Sequence, residues 1–317
     1  MLPESKNSTF RSEKRRLHKK APFLRLRAGM IQAIRRFFFK RDYLEVETPC
    51  LIPAPPPEIH IDAVRAGADY LHTSPEICMK RLLSAGFPKI FQISRCFRAG
   101  ERGTLHLPEF SLLEWYRAEI DYHVLMDECT ELVLSLSNEL KTGHKIRYQG
   151  KEIDLNAPWS KISVHDAFDR YASITLETAL EKNGFDEIMV REIEPQLVSK
   201  GPVFLYDYPA AFAALARLKP DDPTLAERFE IYMGGLELAN GFSELTDAGE
   251  QRNRFEKEHQ KRRSLGKECY PMPEKFLISL EHMPEAAGVA VGIDRLAMLF
   301  ADTATIDDVV AFTPEDL

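Results

Sequence analysis

The sequence predicts an α+β fold built around a largely antiparallel β-sheet that is flanked by helices. Residues 89–97 and 109–117 each alternate with the period of a strand, and the loop 98–108 joins them as a hairpin with a long tip. Residues 228–242 predict further strands, with a turn at Asn240–Gly241. Hairpin-joined strands interleaved with helices, without a regular strand–helix–strand repeat, are typical of this class.

The first predicted helix carries apolar side chains at helical spacing from Phe23 to Phe38. Residues 44–49 then alternate as a short strand, which a proline ends. Residues 53–57 contain four prolines and predict a stiff loop.

Further helices follow from capping signals and from spaced apolar residues. Ser74 can cap a helix that has Pro75 in its first turn and that ends at Gly86. Residues 141–200 look helix-rich but indicate no chemistry. The remaining predicted helices cover residues 125–136, 248–264, 274–283 and 296–300.

Composition and charge narrow the classes of function. The chain has 317 residues with a net charge of −7, but residues 1–20 hold seven Lys/Arg against two Glu. We therefore predict a basic, flexible arm over 1–20 and one catalytic domain over 21–317. An acidic body is atypical of a general nucleic-acid binder. Without a long apolar run or signal-peptide pattern, we expect a cytoplasmic protein that does not bind membranes.

A segment near the C-terminus points to nucleotide binding. From Gly288 to Gly292 small residues recur at every second position, which lets a strand's backbone approach a ligand closely. Arg295 follows at the start of an apolar helix, where a guanidinium can hold phosphates. The alternative is a tight strand-to-helix packing site.

The strand 109–117 carries an unusual carboxylate. Period two places Glu114 on one face with Phe110, Leu112 and Tyr116. A buried, unpaired carboxylate costs several kcal/mol, and no Lys or Arg shares this face. We therefore expect a substrate ammonium group at Glu114. The alternative is a strand that faces the core and contains one buried glutamate.

The loop 98–108 combines charge with a neighbouring ring. Arg98 can meet a phosphate, and Phe110 offers a flat surface for a base, as adenine nucleotide binding requires. Glu101 and His106 lie further along the loop. Loops of this charge are often only solvated, which is the competing interpretation.

Two carboxylates, Glu237 and Glu244, lie seven residues apart around the predicted Asn240–Gly241 turn. Mg²⁺ takes one or two protein carboxylates together with substrate phosphates. Surface charges beside a hairpin, or a second glutamate that holds a substrate amine, are the alternatives.

Taken together, residues 43–49, 96–116 and 288–295 resemble the three signature motifs of class II aminoacyl-tRNA synthetases, in the lysyl-tRNA synthetase branch. Residues 229–245 are similar to that branch's metal and lysine segment, and the resemblance runs from about residue 22 to the C-terminus. It implies a class II catalytic domain, ATP and Mg²⁺ as cofactors, and a homodimer formed through the first motif.

Lysyl-tRNA synthetases carry an anticodon-binding domain before the first motif, where we expect only the short basic arm in this protein. This layout resembles synthetase paralogues that attach (R)-β-lysine to a lysine side chain of elongation factor P, an acidic protein shaped like tRNA. Ala290, where lysyl-tRNA synthetases have glycine, supports that branch. The expected partners are therefore elongation factor P and lysine or (R)-β-lysine, with tRNA disfavoured.

The resemblance also implies residue roles. Arg98 would neutralise the α-phosphate and Arg295 the γ-phosphate, with Mg²⁺ between Glu237 and Glu244; these four would be the catalytic residues. The implied ATP site comprises Arg98, Glu101, His106, Phe110, Glu237, Leu238, Gly292 and Arg295, and the implied substrate site comprises Ser74, Pro75, Glu76, Glu114, Tyr116, Asn240, Glu244 and Ala290.

Two positions depart from the family pattern. Gly100 replaces a glutamate, whose role Glu101 could take, and Leu107 replaces an asparagine. The alternatives are a reduced lysyl-tRNA synthetase that charges tRNA(Lys), a relative of asparagine synthetase, and a catalytically silent binding protein. The sequence ranks neither lysine isomer and shows no base for the transfer step.

Overall fold

A computed structural model describes residues 4–198 and 201–317, with side chains from residue 11 onward. The helices are α1 (Glu4–Phe39), α2 (Glu76–Ser84), α3 (Tyr122–Glu139), α4 (Val164–Tyr171), α5 (Leu176–Glu181), α6 (Phe185–Ile188), α7 (Glu194–Leu197), α8 (Ala248–Ser264), α9 (Glu274–Leu280) and α10 (Ile293–Ala301). The strands are β1 (Leu44–Glu45), β2 (Leu51–Ile52), β3 (Val64–Ala66), β4 (Asp69–Leu71), β5 (Lys89–Phe97), β6 (Glu109–Ala118), β7 (Lys145–Tyr148), β8 (Lys151–Asp154), β9 (Ser160–Ser163), β10 (Val203–Pro209), β11 (Leu225–Met233), β12 (Leu236–Ser243) and β13 (Ala286–Gly292).

Within the described residues, eight strands form one large sheet in the order β1-β5-β6-β13-β12-β11-β10-β9. Every pair from β5 to β10 is antiparallel, and only the outermost pairs, β1–β5 and β10–β9, are parallel. The predicted α+β fold with a largely antiparallel sheet is confirmed.

The two faces of the sheet differ in character. Phe91, Leu113 and Trp115 point to one face and join the main apolar core, against α1, α3 and α10. Gln92 and Glu114, their neighbours along the strands, point to the opposite face because side chains alternate along a strand. The second face is therefore the place for polar chemistry.

The N-terminal segment differs from our expectation. Residues 4–20 are the first half of the continuous helix α1, where we predicted a flexible arm. The Lys20 ammonium donates to the Val310 carbonyl, and Arg16 pairs with Asp316. These contacts hold this half of the helix against the C-terminal segment. The apolar side chains from Phe23 to Phe38 gave no indication that the helix begins before residue 21. Residues 1–3 of the predicted arm lie outside the described residues.

The predicted turn at Asn240–Gly241 is wrong. Asn240 pairs with Glu230 on one side and with Ala290 on the other, in the middle of β12. The turn between β11 and β12 lies at Gly234–Gly235, whose φ values of 63° and 86° fall in the left-handed region that glycine tolerates. Gly241 is needed for packing, because a Cβ there would lie 2.6 Å from the Phe229 ring.

Residues 141–198 contain strands that we did not predict. β7 and β8 form a two-stranded sheet, and β9 joins the edge of the large sheet. Helices α4 to α7 then pack with β10 around a separate apolar cluster that contains Phe168 and Phe185. No helix in the described chain has the long apolar stretch needed to cross a membrane.

Candidate active site

A cleft of about 810 Å³ lies over the polar face of the sheet. Its walls come from the start of α2, the loops 56–61 and 98–107, α8, and the central strands β6, β13, β12 and β11. It gathers all predicted site residues except Pro75 and Glu244, namely Ser74, Glu76, Arg98, Glu101, His106, Phe110, Glu114, Tyr116, Glu237, Leu238, Asn240, Ala290, Gly292 and Arg295.

The register of the sheet builds the floor of this cleft. Glu114 pairs with Ala290, Ala290 with Asn240, and Asn240 with Glu230, so that four adjacent strands contribute one row of side chains. Residues that pair across a sheet share a face. The row therefore places two carboxylates and one amide side by side, with the small Ala290 side chain between Glu114 and Asn240.

Gly288 lies in the neighbouring row, where it pairs with Tyr116. A Cβ at this position would lie 2.2 Å from the Tyr116 ring and 2.7 Å from Glu244 Oε1. Glycine is therefore required so that the Tyr116 ring and the Glu244 carboxylate can both lie against the strand at this position.

A β-bulge determines the direction of Glu237. Ile231 pairs with Ala239 but the next residue, Tyr232, pairs with Glu237, so Leu238 is an extra residue in β12. Without the bulge, Glu237 would share the face of Ala239 and point to the core. With it, Glu237 shares the face of Asn240 and points into the cleft.

One end of the cleft is a buried cluster that we name the acidic pocket: Glu76, Glu114, Glu244 and Lys80. The Lys80 ammonium lies 2.6 Å from Glu76 Oε1 and 2.5 Å from Glu244 Oε2. The hydroxyls of Ser74 and Tyr116 donate to the two oxygens of Glu114 at 2.6 and 2.8 Å. We had expected no protein cation near Glu114, and Lys80 supplies one from α2.

The acidic pocket has three carboxylates and one ammonium group, an excess of two negative charges when all are ionised. Burial raises the pKa of Glu114 to about 7 and that of Glu244 to about 8, although Lys80 opposes both shifts. Among the described residues, Glu244 Oε1 has no hydrogen-bond partner. A ligand with two ammonium groups would balance this charge.

The opposite end, which we name the phosphate end, contains Arg98, His106, Glu237 and Arg295. Arg295 Nη1 donates to the Glu237 carbonyl at 2.9 Å, and Nη2 lies 2.6 Å from His106 Nε2. Burial, and then the charge of Arg295, lower the pKa of His106, so the neutral imidazole accepts from the arginine. The Arg98 guanidinium lies 5.0 Å from the centre of the Phe110 ring.

Asp294 fixes the start of α10 and therefore the position of Arg295. One of its carboxylate oxygens accepts from the Ser111 N–H at 2.7 Å, and the other accepts from Arg27 at 2.8 Å. Sequence reasoning did not find Arg27, because it lies far away in the sequence, on α1.

Our prediction that Glu237 and Glu244 share one metal ion is wrong. Seven residues of extended chain separate them by roughly 20 Å, and the Glu244 side chain is wholly buried against Lys80. The carboxylate beside Glu237 is Glu230, whose charge, second to burial, raises the pKa of Glu237 to about 7. Glu230 belongs to a segment that we had compared with the metal site without singling it out.

The pair Glu230 and Glu237 fits a magnesium ion better. Glu230 accepts hydrogen bonds from Arg228 at 2.6 Å and from the Tyr232 hydroxyl at 2.8 Å, which hold it in place. No group of three or more potential metal ligands occurs in the described part of the chain. Two carboxylate donors completed by substrate phosphates are the arrangement that Mg²⁺ accepts.

The two departures from the family pattern lie in the loop after β5. Gly100 has a φ of 77°, and Glu101 lies in the cleft with its carboxylate 3.8 Å from the Arg98 guanidinium. Leu107 is buried and joins the main core. That Glu101 takes the role of the missing glutamate stays a prediction.

Comparisons with known proteins show which family the chain belongs to. Residues 5–316 match the family model described as tRNA synthetases class II (D, K and N). Three relatives, each 40% identical, bear the name elongation factor P–(R)-β-lysine ligase. They come from Hamiltonella defensa (91% of this chain and 94% of that protein), Pectobacterium carotovorum (91% and 94%) and Salmonella gallinarum (92% and 95%).

Proposed function

Because the chain belongs to the class II tRNA synthetase family and to its branch of elongation factor P–(R)-β-lysine ligases, we propose that it activates (R)-β-lysine or lysine with ATP and transfers it to elongation factor P. The predicted ATP-dependent amino acid ligase thus agrees with the family. The observation that carries the proposal is the acidic pocket, whose two uncompensated charges suit an amino acid with two ammonium groups.

In the first half-reaction, the amino acid carboxylate attacks the α-phosphorus of ATP, and pyrophosphate leaves. Arg98 and Arg295 would hold the phosphates, since both project into the cleft and both lie close to Glu237. Phe110 would support the adenine ring. Glu230 and Glu237 would hold Mg²⁺, which neutralises phosphate charge when it is bound. Catalysis is then mainly positioning and charge stabilisation.

In the second half-reaction, the ε-amine of an acceptor lysine attacks the acyl carbon, and AMP leaves. Ala290 supports the preference for the β-isomer, because its methyl group lies in the floor of the cleft between Glu114 and Asn240. One methyl group in a pocket wall contributes about 1–3 kcal/mol of discrimination.

We also propose that the protein is a cytoplasmic homodimer. Phe39, Leu44 and Leu51 lie in and beside the first motif, and each is about half exposed, as an apolar surface awaiting a second copy would be. Sedimentation equilibrium tests this assembly, and a monomer at micromolar concentration would contradict it.

The function is tested by ATP–pyrophosphate exchange and by mass spectrometry of elongation factor P incubated with the protein, ATP, Mg²⁺ and each lysine isomer. We expect exchange with (R)-β-lysine and the corresponding mass gain on one lysine of elongation factor P. Exchange with a mass gain only on tRNA(Lys) would instead indicate a reduced synthetase. No exchange with either isomer would indicate a silent binding protein.

A further inference from the structure

Glu58 is a carboxylate in the cleft that the half-reactions above do not use. It follows the proline-rich loop 53–57 and lines the cleft, partly buried. Its carboxylate has neither a hydrogen bond nor an ion pair at contact distance to any side chain in the described part of the chain. A charged group that is placed in a cleft and left without a bonded partner needs an explanation.

The backbone around Glu58 is rigidly held. Arg262, which is wholly buried, donates to the carbonyls of Glu58 at 2.7 Å and Ile61 at 3.1 Å. Glu258 on α8 accepts from the Ile59 N–H at 3.1 Å. Prolines before the residue and a buried arginine behind it hold the backbone of Glu58 in the cleft wall, while its side chain lines the cleft.

Charged groups from four elements face Glu58. Glu76 on α2 and Glu258 on α8 repel its negative charge, whereas Arg98 beyond β5 and Arg228 on β11 attract it. Burial is the largest effect, and with the two glutamates it raises the pKa of Glu58 to about 7. The carboxylate can therefore exchange a proton near neutral pH.

These neighbours also locate Glu58 along the cleft. Glu76 belongs to the acidic pocket and Arg98 to the phosphate end, so Glu58 lies beside the junction of the two. An aminoacyl-adenylate that spans the cleft would have its acyl–phosphate bond at this junction. The attacking amine must reach the same place.

We propose that Glu58 is the base of the transfer step: it binds the ammonium group of the acceptor lysine and removes a proton from it. The proposal rests on the function proposed above. The neutral amine then forms a C–N bond with the acyl carbon, and the bond from that carbon to the phosphate oxygen breaks. AMP leaves with the electron pair, and the second amine proton passes to solvent.

The test is Glu58→Gln, with Glu281→Gln on the exposed end of α9 as the matched control. Removing a general base is expected to slow transfer to elongation factor P by about 10²-fold or more. The rate of ATP–pyrophosphate exchange and the KM for the amino acid should stay within about threefold of the wild type, since these report adenylation alone.

A small nucleophile separates proton removal from a structural defect. Hydroxylamine is neutral near pH 7 and needs no base, so both proteins should form the hydroxamate from the adenylate at similar rates. The pH profile gives a second readout: wild-type transfer should level off above about pH 7, whereas the variant's rate should keep rising toward the pKa of a lysine amine, about 10.4.

Two results would overturn the role of Glu58. One is transfer by the variant at the wild-type rate. The other is a loss of exchange or of hydroxamate formation, which would place Glu58 in adenylation or in amino acid binding. Absence of exchange in the wild type would instead overturn the proposed function itself, and with it this proposal.

Discussion

The two ends of the cleft differ in charge and in burial. The acidic pocket is closed: the side chains of Lys80 and Glu244 are at most 1% exposed, and their charges already contact each other. The phosphate end is open: the side chains of Arg295 and Glu237 are 20% and 42% exposed. Buried charges are fixed before the ligand binds, so they favour a ligand whose charges match them in number and position. Side chains that are partly exposed can move to fit the ligand.

The difference has a thermodynamic consequence. Like charges held together in a buried site cost free energy in the empty protein, and a cationic ligand removes that cost when it binds. Arg98 and Arg295 are only partly buried and stay in contact with water, which screens their charges, so they cost less free energy in the empty protein. Substitutions in the acidic pocket should therefore change stability strongly, and substitutions at the phosphate end should change mainly the rate of the proposed reaction.

Replacing the buried cation is the largest perturbation that this comparison predicts. Lys80→Met leaves Glu76, Glu114 and Glu244 without a positive partner. Breaking a buried pair in this way is expected to cost about 3–5 kcal/mol of unfolding free energy, measurable by urea denaturation. Arg81→Met, the exposed next residue on the same helix, is the matched control. Equal stability of the two variants would show that Lys80 does not offset repulsion among the three carboxylates of the acidic pocket.

At the phosphate end, Arg295→Ala should instead abolish chemistry and spare the fold. Loss of a phosphate-holding guanidinium is expected to lower the exchange rate by about 10²–10³-fold, with a melting temperature close to that of the wild type. Arg263→Ala, on the exposed side of α8, serves as the control. Near-normal exchange by the Arg295 variant would refute the phosphate assignment.

The pH dependence of amino acid binding follows from the raised pKa values of Glu114 and Glu244, about 7 and about 8. Because both values lie above those of the unfolded chain, the stability that they contribute to the empty protein is full below about pH 4.5 and is lost as the pH rises to about 8. A dicationic amino acid requires both carboxylates ionised. Its affinity should therefore rise up to about a hundredfold per pH unit below about pH 7 and up to about tenfold per pH unit between about pH 7 and about pH 8.

Calorimetric titration in buffers of different ionisation enthalpy measures this effect as proton release on binding. Glu114→Gln should reduce the release and flatten the profile. ATP affinity measured in the same way should change less, since the phosphate end is open to water. A pH-independent affinity for the amino acid would argue against neutral carboxyl groups in the empty pocket.

The smallest expected effect concerns specificity. Ala290→Gly removes one methyl group from the floor of the cleft and should shift the kcat/KM ratio toward α-lysine by about 1–3 kcal/mol at most. The measurement is exchange with each isomer under matched conditions, with Ala297→Gly, which lies in α10 within the main core, reporting general loosening. An unchanged ratio would mean that the isomer preference lies elsewhere in the pocket.

Local patterns were enough to predict most of the sheet. β5 begins and ends where period two indicated, and α8 covers the predicted residues 248–264. The turn at Asn240–Gly241 failed because a strong turn dipeptide competes poorly with strand pairing on both sides. The true turn needed two glycines with positive φ, which Gly234 and Gly235 supply.

Site residues that lie on a single strand could be predicted from the sequence. Contacts between residues from separate helices and strands could not. Period two placed Glu114 and Tyr116 on one face of β6, the resemblance assigned them to the substrate site, and both side chains line the cleft. Lys80 could have been found from its i,i+4 spacing to Glu76, which places the two on one helix face. Glu230 could not be preferred over Glu244 as the partner of Glu237, because the choice depends on the bulge at Leu238 and on strand order.

The contact between Arg27 and Asp294 joins positions that lie 267 residues apart. During synthesis on a ribosome, α1 is made first, and Arg27 can form this contact only after almost the whole polypeptide has been synthesised. Arg295, for which we propose a role in holding phosphates, follows Asp294 directly and gains this support only at that moment. We therefore expect amino acid activation to begin only after α10 has been made and has packed against α1.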